Sequence, residues 1–282
     1  MLDDLVLHPR SQRLAEKLAA HLPHGLIIEG ASGVGVVTVA KALASAVGSP
    51  HFVILPKKKV KNEFVVDMRE GGTVIEDIRL LYEQTRTKQP NKQVYIIDTG
   101  EKSMTLGAQN AFLKLLEEPR SGLHFIIATH QPDKLLPTIV SRSQRLSLLA
   151  VTDEQTMDII SDLDISDQTK STRLAFVGRG KPALINQLAA DQTAYDARIA
   201  IMSDAKTMLG SNTYDKLSVI HRYRDNRGGS LTLIDDMNHQ LQTIIRSQPD
   251  QRLVHDIERH LETRQRIAVG GNIRLQLAAD VL

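Results

Sequence analysis

Gly30-Ala31-Ser32-Gly33-Val34-Gly35-Val36-Val37-Thr38 follows the apolar run Gly25-Leu26-Ile27-Ile28-Glu29. It leads into a segment with apolar residues at 36, 39, 40, 43, 44 and 47. The run reads as a buried strand and the spacing as a helix. Strand, glycine-rich turn and helix, in that order, form the setting of a phosphate-binding loop, whose pattern is glycine, four residues, then Gly-Lys-Ser/Thr. Gly30, Gly33 and Gly35 keep the turn, but Val36 stands at the lysine position and Val37 at the hydroxyl position. The lysine neutralises the β- and γ-phosphates and the hydroxyl holds Mg²⁺. Two apolar side chains do neither, so the stretch has nucleotide-site architecture without its chemistry.

Working outward, Phe52 to Leu55, Val94 to Asp98 and Leu123 to Thr129 are further strands. Helical spacing over Val74 to Thr87 and from Ser103 to about Glu117 separates them. Leu106, Leu113 and Leu116 form the apolar side of the latter helix, and Pro119 stops it. Buried strands alternating with helices predict a parallel α/β sheet covered on both faces. Ligands of such sheets lie beyond the carboxyl ends of the strands. Gly30, Asp98 and Thr129 each fall at such an end and are expected to converge. After about Leu149 the strand pattern ceases, and the rest reads as helical, interrupted at Arg227-Gly228-Gly229 and Gly270-Gly271.

Asp98 ends an apolar strand about 65 residues past the loop, where a Walker B acid positions Mg²⁺. The next residue is Thr99, where such ATPases carry the glutamate that polarises the attacking water; Glu101 lies past Gly100. Lysine, hydroxyl and glutamate are thus all missing. The 282 residues carry 35 Lys and Arg against 33 Asp and Glu, a net charge of +2, with aromatics at 4%. That balance argues against a direct nucleic-acid binder. Cysteine is absent, which excludes disulfides and thiolate chemistry. The histidines show no ligand spacing, so no metal site is expected. Ser32 lacks the flanking glycines of a nucleophile elbow. The run Lys57-Lys58-Lys59-Val60-Lys61 reads as a solvated loop. Met1-Leu2-Asp3-Asp4-Leu5 has no signal-peptide character, and no apolar run approaches a bilayer span, so a soluble cytoplasmic protein is expected.

Three stretches carry a resemblance. Pro23-His24-Gly25-Leu26, the helix Ala108-Gln109-Asn110-Ala111-Phe112-Leu113-Lys114-Leu115-Leu116-Glu117-Glu118-Pro119, and Ser141-Arg142-Ser143-Gln144 resemble bacterial DNA polymerase III clamp-loader AAA+ subunits. Gly271-Asn272-Ile273-Arg274-Leu275-Gln276-Leu277 is similar, more weakly, to the family's closing helix. The resemblance implies an AAA+ parallel-sheet core at 1–149, a small helical lid at 150–194 and a C-terminal helical collar for oligomerisation at 195–282.

It also implies roles. Arg142 takes the place of an arginine finger presented in trans to a neighbour's ATP, with Ser143 where the family has cysteine. A guanidinium stays charged and offers planar donors to phosphate oxygens. Sensor 1 falls on Thr129 or His130, and the sensor 2 arginine is replaced by Lys181. The degenerate nucleotide site thus comprises Gly30, Gly33, Gly35, Val36, Val37, Asp98, Thr129 and Lys181 and is expected to be vacant. The four cysteines that hold zinc in many members are missing, so no zinc is expected. The implied partners are the clamp-loader ATPase subunits (gamma/tau) and the delta subunit in a hetero-oligomer, with the sliding clamp and primed DNA reached through the complex. The rival reading is an active, gamma/tau-like ATPase that uses Thr38 and a lysine from elsewhere, Lys41 being nearest.

Overall fold

The computed structural model describes residues 2–47, 51–61, 63–68, 71–86, 92–100, 102–118 and 121–281. Two compact units divide the chain, residues 1–187 and 188–282.

The first unit runs α1 (Pro9–Ala20), β1 (Gly25–Gly30), α2 (Val36–Ala46), β2 (His51–Ile54), β3 (Lys57–Val60), β4 (Glu63–Val66), α3 (Ile75–Gln84), β5 (Gln93–Asp98), α4 (Leu106–Glu117), β6 (Leu123–Thr129), α5 (Pro137–Val140) and β7 (Gln144–Leu148). Helices α6 (Asp153–Asp162), α7 (Gln168–Val177) and α8 (Pro182–Ala190) follow, and the boundary between the units falls within α8. The main sheet has the order β2-β5-β6-β1-β7, with every pairing parallel. Successive side chains alternate between its faces. Leu26 and Ile28 of β1 therefore join Val39, Ala40 and Leu43 of α2 on one face. Ile27 joins Ile78 of α3 and Phe112 of α4 on the other. The chain thus has the parallel-sheet core that the alternating pattern predicts, and the AAA+-like core followed by helices that the resemblance implies.

Local chemistry adjusts several expected boundaries. Helix α4 begins at Leu106 rather than Ser103 because the Thr105 hydroxyl caps it, accepting from the Ala108 amide at 3.3 Å. Leu106 then lies in the first turn and is 63% exposed, while Ala108, Phe112, Leu115 and Leu116 form the buried stripe. Helix α3 ends at Gln84, and Thr87 and Pro119 lie outside the described residues. The lysine run is not a loop: β3 pairs antiparallel with β4, and the Lys57 ammonium reaches Asp77 of α3 at 2.5 Å. Strand β7, too short and polar to stand out in sequence, completes the sheet beside β1.

The second unit is a helical bundle: α9 (Gln192–Gly210), α10 (Thr213–Arg222), α11 (Arg227–Ser247), α12 (Gln251–Ala268) and α13 (Ile273–Val281). Met208, Ile220, Leu233, Met237, Ile267 and Leu277 form its core. Gly228 and Gly229 do not interrupt a helix but open α11. The Asn226 carboxamide caps the Gly229 amide at 2.9 Å and leaves no room there for a Cβ. Gly270, at φ +112°, ends α12 in the left-handed conformation that glycine adopts without cost. A buried ion pair joins Arg198 of α9 to Asp236 of α11. No helix among the described residues is long and apolar enough to cross a membrane.

Candidate functional site

The glycine loop lies at the carboxyl end of the sheet. Gly33 and Gly35 take φ of +90° and +98°, values an L-residue rarely adopts. The loop's valines pack into the protein rather than into a phosphate cavity. Val34 and Val36 are buried, and Val37 packs on the same cluster. A Cβ on Gly30 would lie 2.7 Å from a Val34 methyl, so Val34 occupies the hollow of its own loop. No side chain caps the N-terminus of α2, where Gly35 is the N-cap residue.

The segment entering α8 closes over this loop. The Leu184 amide donates to the Gly33 carbonyl at 3.2 Å. A Cβ on Gly33 would lie 3.0 Å from Leu184 Cβ and 3.3 Å from Lys181 Cβ, and one on Gly35 would touch Ala183. Lys181 thus lies against the loop through its stem. Arg179 pairs with Asp153 of α6, and the Thr156 hydroxyl accepts from the Gly180 amide at 3.2 Å. These bonds tie the closing segment to α6, the first helix after the sheet.

Strand register brings Gly30, Asp98 and Thr129 to one layer, because Glu29 pairs with Thr129 and Asp98 with Ala128. Asp98 is buried and accepts from the Gly100 amide at 2.9 Å. Thr99 is fully buried and donates to the Ala128 carbonyl at 3.2 Å, a structural hydroxyl rather than a base. Glu101 lies outside the described residues. The Thr129 hydroxyl accepts from the Gln131 amide, and the His130 ring faces the Gly30 carbonyl at 2.9 Å. His130 is therefore the residue of this pair that touches the loop, a contact the sequence leaves open.

Arg142 lies elsewhere. It precedes β7 by two residues, at the amino end of the sheet, whereas Gly30 pairs with Leu148 at the carboxyl end. Six residues of strand rise span roughly 20 Å, so Arg142 cannot serve its own loop. Its guanidinium is 39% exposed, donates to the Thr138 carbonyl at 3.1 Å and pairs with Glu117 at 3.0 Å.

The motif helix α4 starts beyond the carboxyl end of β5 and runs back towards the end that carries Arg142. Gln109 of α4 is buried; its amide donates to the Met104 and Lys134 carbonyls at 3.0 Å, and its oxygen accepts from the Leu136 amide at 2.7 Å. Two of the three bonds from this carboxamide hold the loop leading into α5, and Arg142 follows α5. Beside it, a cavity of about 360 Å³ reaches the sheet. On its wall the Glu29 carboxylate accepts from Arg145 at 2.7 Å and Ser147 at 2.6 Å. This group was missed in sequence; an acid closing an otherwise apolar strand is the signal that could have found it.

The family model described as "DNA polymerase III, delta subunit" matches residues 10–152. DNA polymerase III subunit tau of Bacillus subtilis is 31% identical over 144 residues, covering 46% of this chain and 25% of that protein. Subunit delta' of Haemophilus influenzae is 28% identical over 195 residues, covering 64% of this chain and 58% of that one. The chain thus spans about a quarter of the tau relative and somewhat over half of the delta' relative. A gamma subunit-related protein of Thermotoga maritima shares the fold, with a TM-score of 0.54, 19% identity and coverage of 96% of this chain and 97% of that one. With the family model covering half of the chain and the motif helix and Arg142 loop lying within the match, the chain belongs to the DNA polymerase III tau/gamma/delta' clamp-loader family of AAA+ subunits.

Proposed function

We propose that this chain is the delta-prime type of clamp-loader subunit: it hydrolyses no ATP and lends Arg142 to the ATP site of an adjacent subunit. The observation that carries this reading is the separation of Arg142 from its own glycine loop by the length of the sheet. An exposed arginine at that distance is open to a neighbour and out of reach of its own loop. The loop end supports the same division, since valines fill it and Leu184 binds its backbone. Helices α6 to α8 are read as the lid and α9 to α13 as the collar that assembles the ring. The partners are then the gamma/tau ATPase subunits and the delta subunit, in the cytoplasm, with the sliding clamp and primed DNA engaged by the whole complex. Neither zinc nor bound Mg-ATP enters this role.

The test is Arg142→Ala in the complex reconstituted with the ATPase subunits, clamp and primed DNA. Assembly persists, and single-turnover hydrolysis at the adjacent site falls on the order of 10³-fold, the lower range for fingers supplied in trans. Unchanged hydrolysis overturns the proposal. Similarity to tau keeps one rival in view, an active gamma/tau-like subunit. Calorimetry of the chain with ATP and Mg²⁺ separates the two: micromolar binding supports the rival, and its absence supports the delta-prime reading.

A further inference from the structure

Arg142 is held as well as displayed. Its guanidinium makes three contacts: the Thr138 carbonyl at 3.1 Å, the Ser141 hydroxyl at 3.5 Å and the Glu117 carboxylate at 3.0 Å. Only the last is an ion pair. A guanidinium bound to a carboxylate must give it up, wholly or in part, to bind a phosphate with the same donors. Glu117 is the last residue of α4, and the position of that turn is fixed by an unusual staple. Both ring nitrogens of His24 lie 2.9 Å from carbonyl oxygens, one of Leu123 at the start of β6 and one of Leu115 in the last turn of α4. Carbonyls only accept, so each ring nitrogen bonds its carbonyl only as a donor.

Gly25, next in sequence, leaves space for the finger's own backbone. A Cβ there would stand 2.9 Å from a Leu116 methyl, 3.1 Å from the Ser143 hydroxyl and 3.2 Å from the Arg142 carbonyl. The last turn of α4 is therefore seated on His24 and Gly25, and the turn bearing Arg142 lies against the same Gly25.

We infer that Glu117 is a positioning residue that latches Arg142 at the amino end of the sheet until a phosphate from a neighbouring subunit displaces it, with His24 and Gly25 as the seat of the latch. The inference rests on the reading of Arg142 as a finger acting in trans. In that role the latch keeps the guanidinium extended along α4 before the partner's nucleotide arrives, and it sets the threshold for engagement. The pair is exposed on both sides, so the threshold is shallow.

The test is single-turnover ATP hydrolysis by the reconstituted complex carrying Glu117→Gln, Arg142→Ala or both. Glu117→Gln keeps the shape of the side chain and removes the charge that competes with phosphate. Hydrolysis at the adjacent site then rises about two- to fivefold, the equivalent of one exposed ion pair. The rise vanishes in the double variant, because without Arg142 there is nothing to release. A purely structural Glu117 would instead change both backgrounds alike. No rise, a fall, or an equal change with and without Arg142 overturns the latch. If Arg142→Ala itself leaves hydrolysis intact, it is the finger reading that fails, and the two failures are told apart.

Discussion

The carboxyl and amino ends of the same parallel strands carry opposite solutions to one problem, where to put polar backbone and charged side chains. At the carboxyl end, three glycines keep a loop shape that elsewhere cradles phosphate, and the protein fills that shape itself. Val34 sits in the hollow, Val36 joins the core, and Leu184 bonds the Gly33 carbonyl. At the amino end the backbone is secured by a side chain instead. His24 holds the last turn of α4 and the start of β6, and Arg142 stays at the surface. A glycine loop keeps its geometry when internal contacts replace its ligand, whereas an arginine keeps its use only if it remains reachable. The fold therefore keeps the shape of the loop and the exposure of the arginine by different contacts at its two ends.

The comparison breaks most visibly at Arg142. Its replacement by alanine costs on the order of 10³-fold in hydrolysis at the adjacent site, and a loss below tenfold would make the amino end as inert as the loop. At the loop, Gly33→Ala faces both a φ of +90° and the Leu184 contact at 3.0 Å. Chemical denaturation of this variant is expected to show a loss of about 1–3 kcal/mol, the cost of a strained backbone. Unchanged stability would mean that α8 does not depend on the loop.

A smaller effect sharpens the account of the finger's seat. The Ser143 hydroxyl is buried without a hydrogen-bond partner, against Gly25 and Leu116. A thiol fits that apolar seat better, so Ser143→Cys is expected to raise stability by about 1 kcal/mol, the desolvation cost of an unmet hydroxyl. A loss on the same measurement would show that the hydroxyl has a role in holding the turn.

The smallest effect is one of pH, and it lies in neither end but in the helical unit. His260 faces Asn238 at 2.8 Å and Asp280 at 3.5 Å, with Arg259 and Asp256 nearby. Burial lowers its pKa below the ordinary 6.5. As pH falls through 6.5 the unfolded chain takes up the proton first, so stability is lost from there down to the lowered value. Burial also raises the Asp280 carboxyl above 3.8, which works in the opposite sense: that contribution is lost as pH rises from 3.8 through the raised value. Melting of the chain at pH 5.5 is expected below that at pH 7.5, and His260→Gln should narrow the gap. A hydrolysis assay of the Arg142 variant run in acid would then report weakened helices of the second unit rather than Arg142, and a pH-independent melt would remove that concern.

Much of the loop end was legible as sequence because its logic is local. Glycine spacing, a missing lysine and the alternation of apolar strands with helices all act within a few residues. Helix α4 shows where local reading stopped. Its apolar periodicity announced a helix, and the Thr105 cap is a local contact that fixes its start, but the face that turns inward was decided by partners distant in sequence. Strand β3 was hidden for the same reason, since four residues rich in lysine become a strand only when β4 supplies the pairing.

By itself, the sequence determined the alternation of apolar strands and helices that makes an α/β sheet, the glycines of the loop and the valines at its lysine and hydroxyl positions. Those are properties of residue type and spacing. Only the tertiary structure decided that Leu184 closes the dead loop, that Arg142 lies at the far end of the sheet, and that Glu117 and His24 hold its turn. Each depends on contacts between segments tens of residues or more apart along the chain. Such contacts are set by how helices pack on a finished sheet, and no local pattern encodes them.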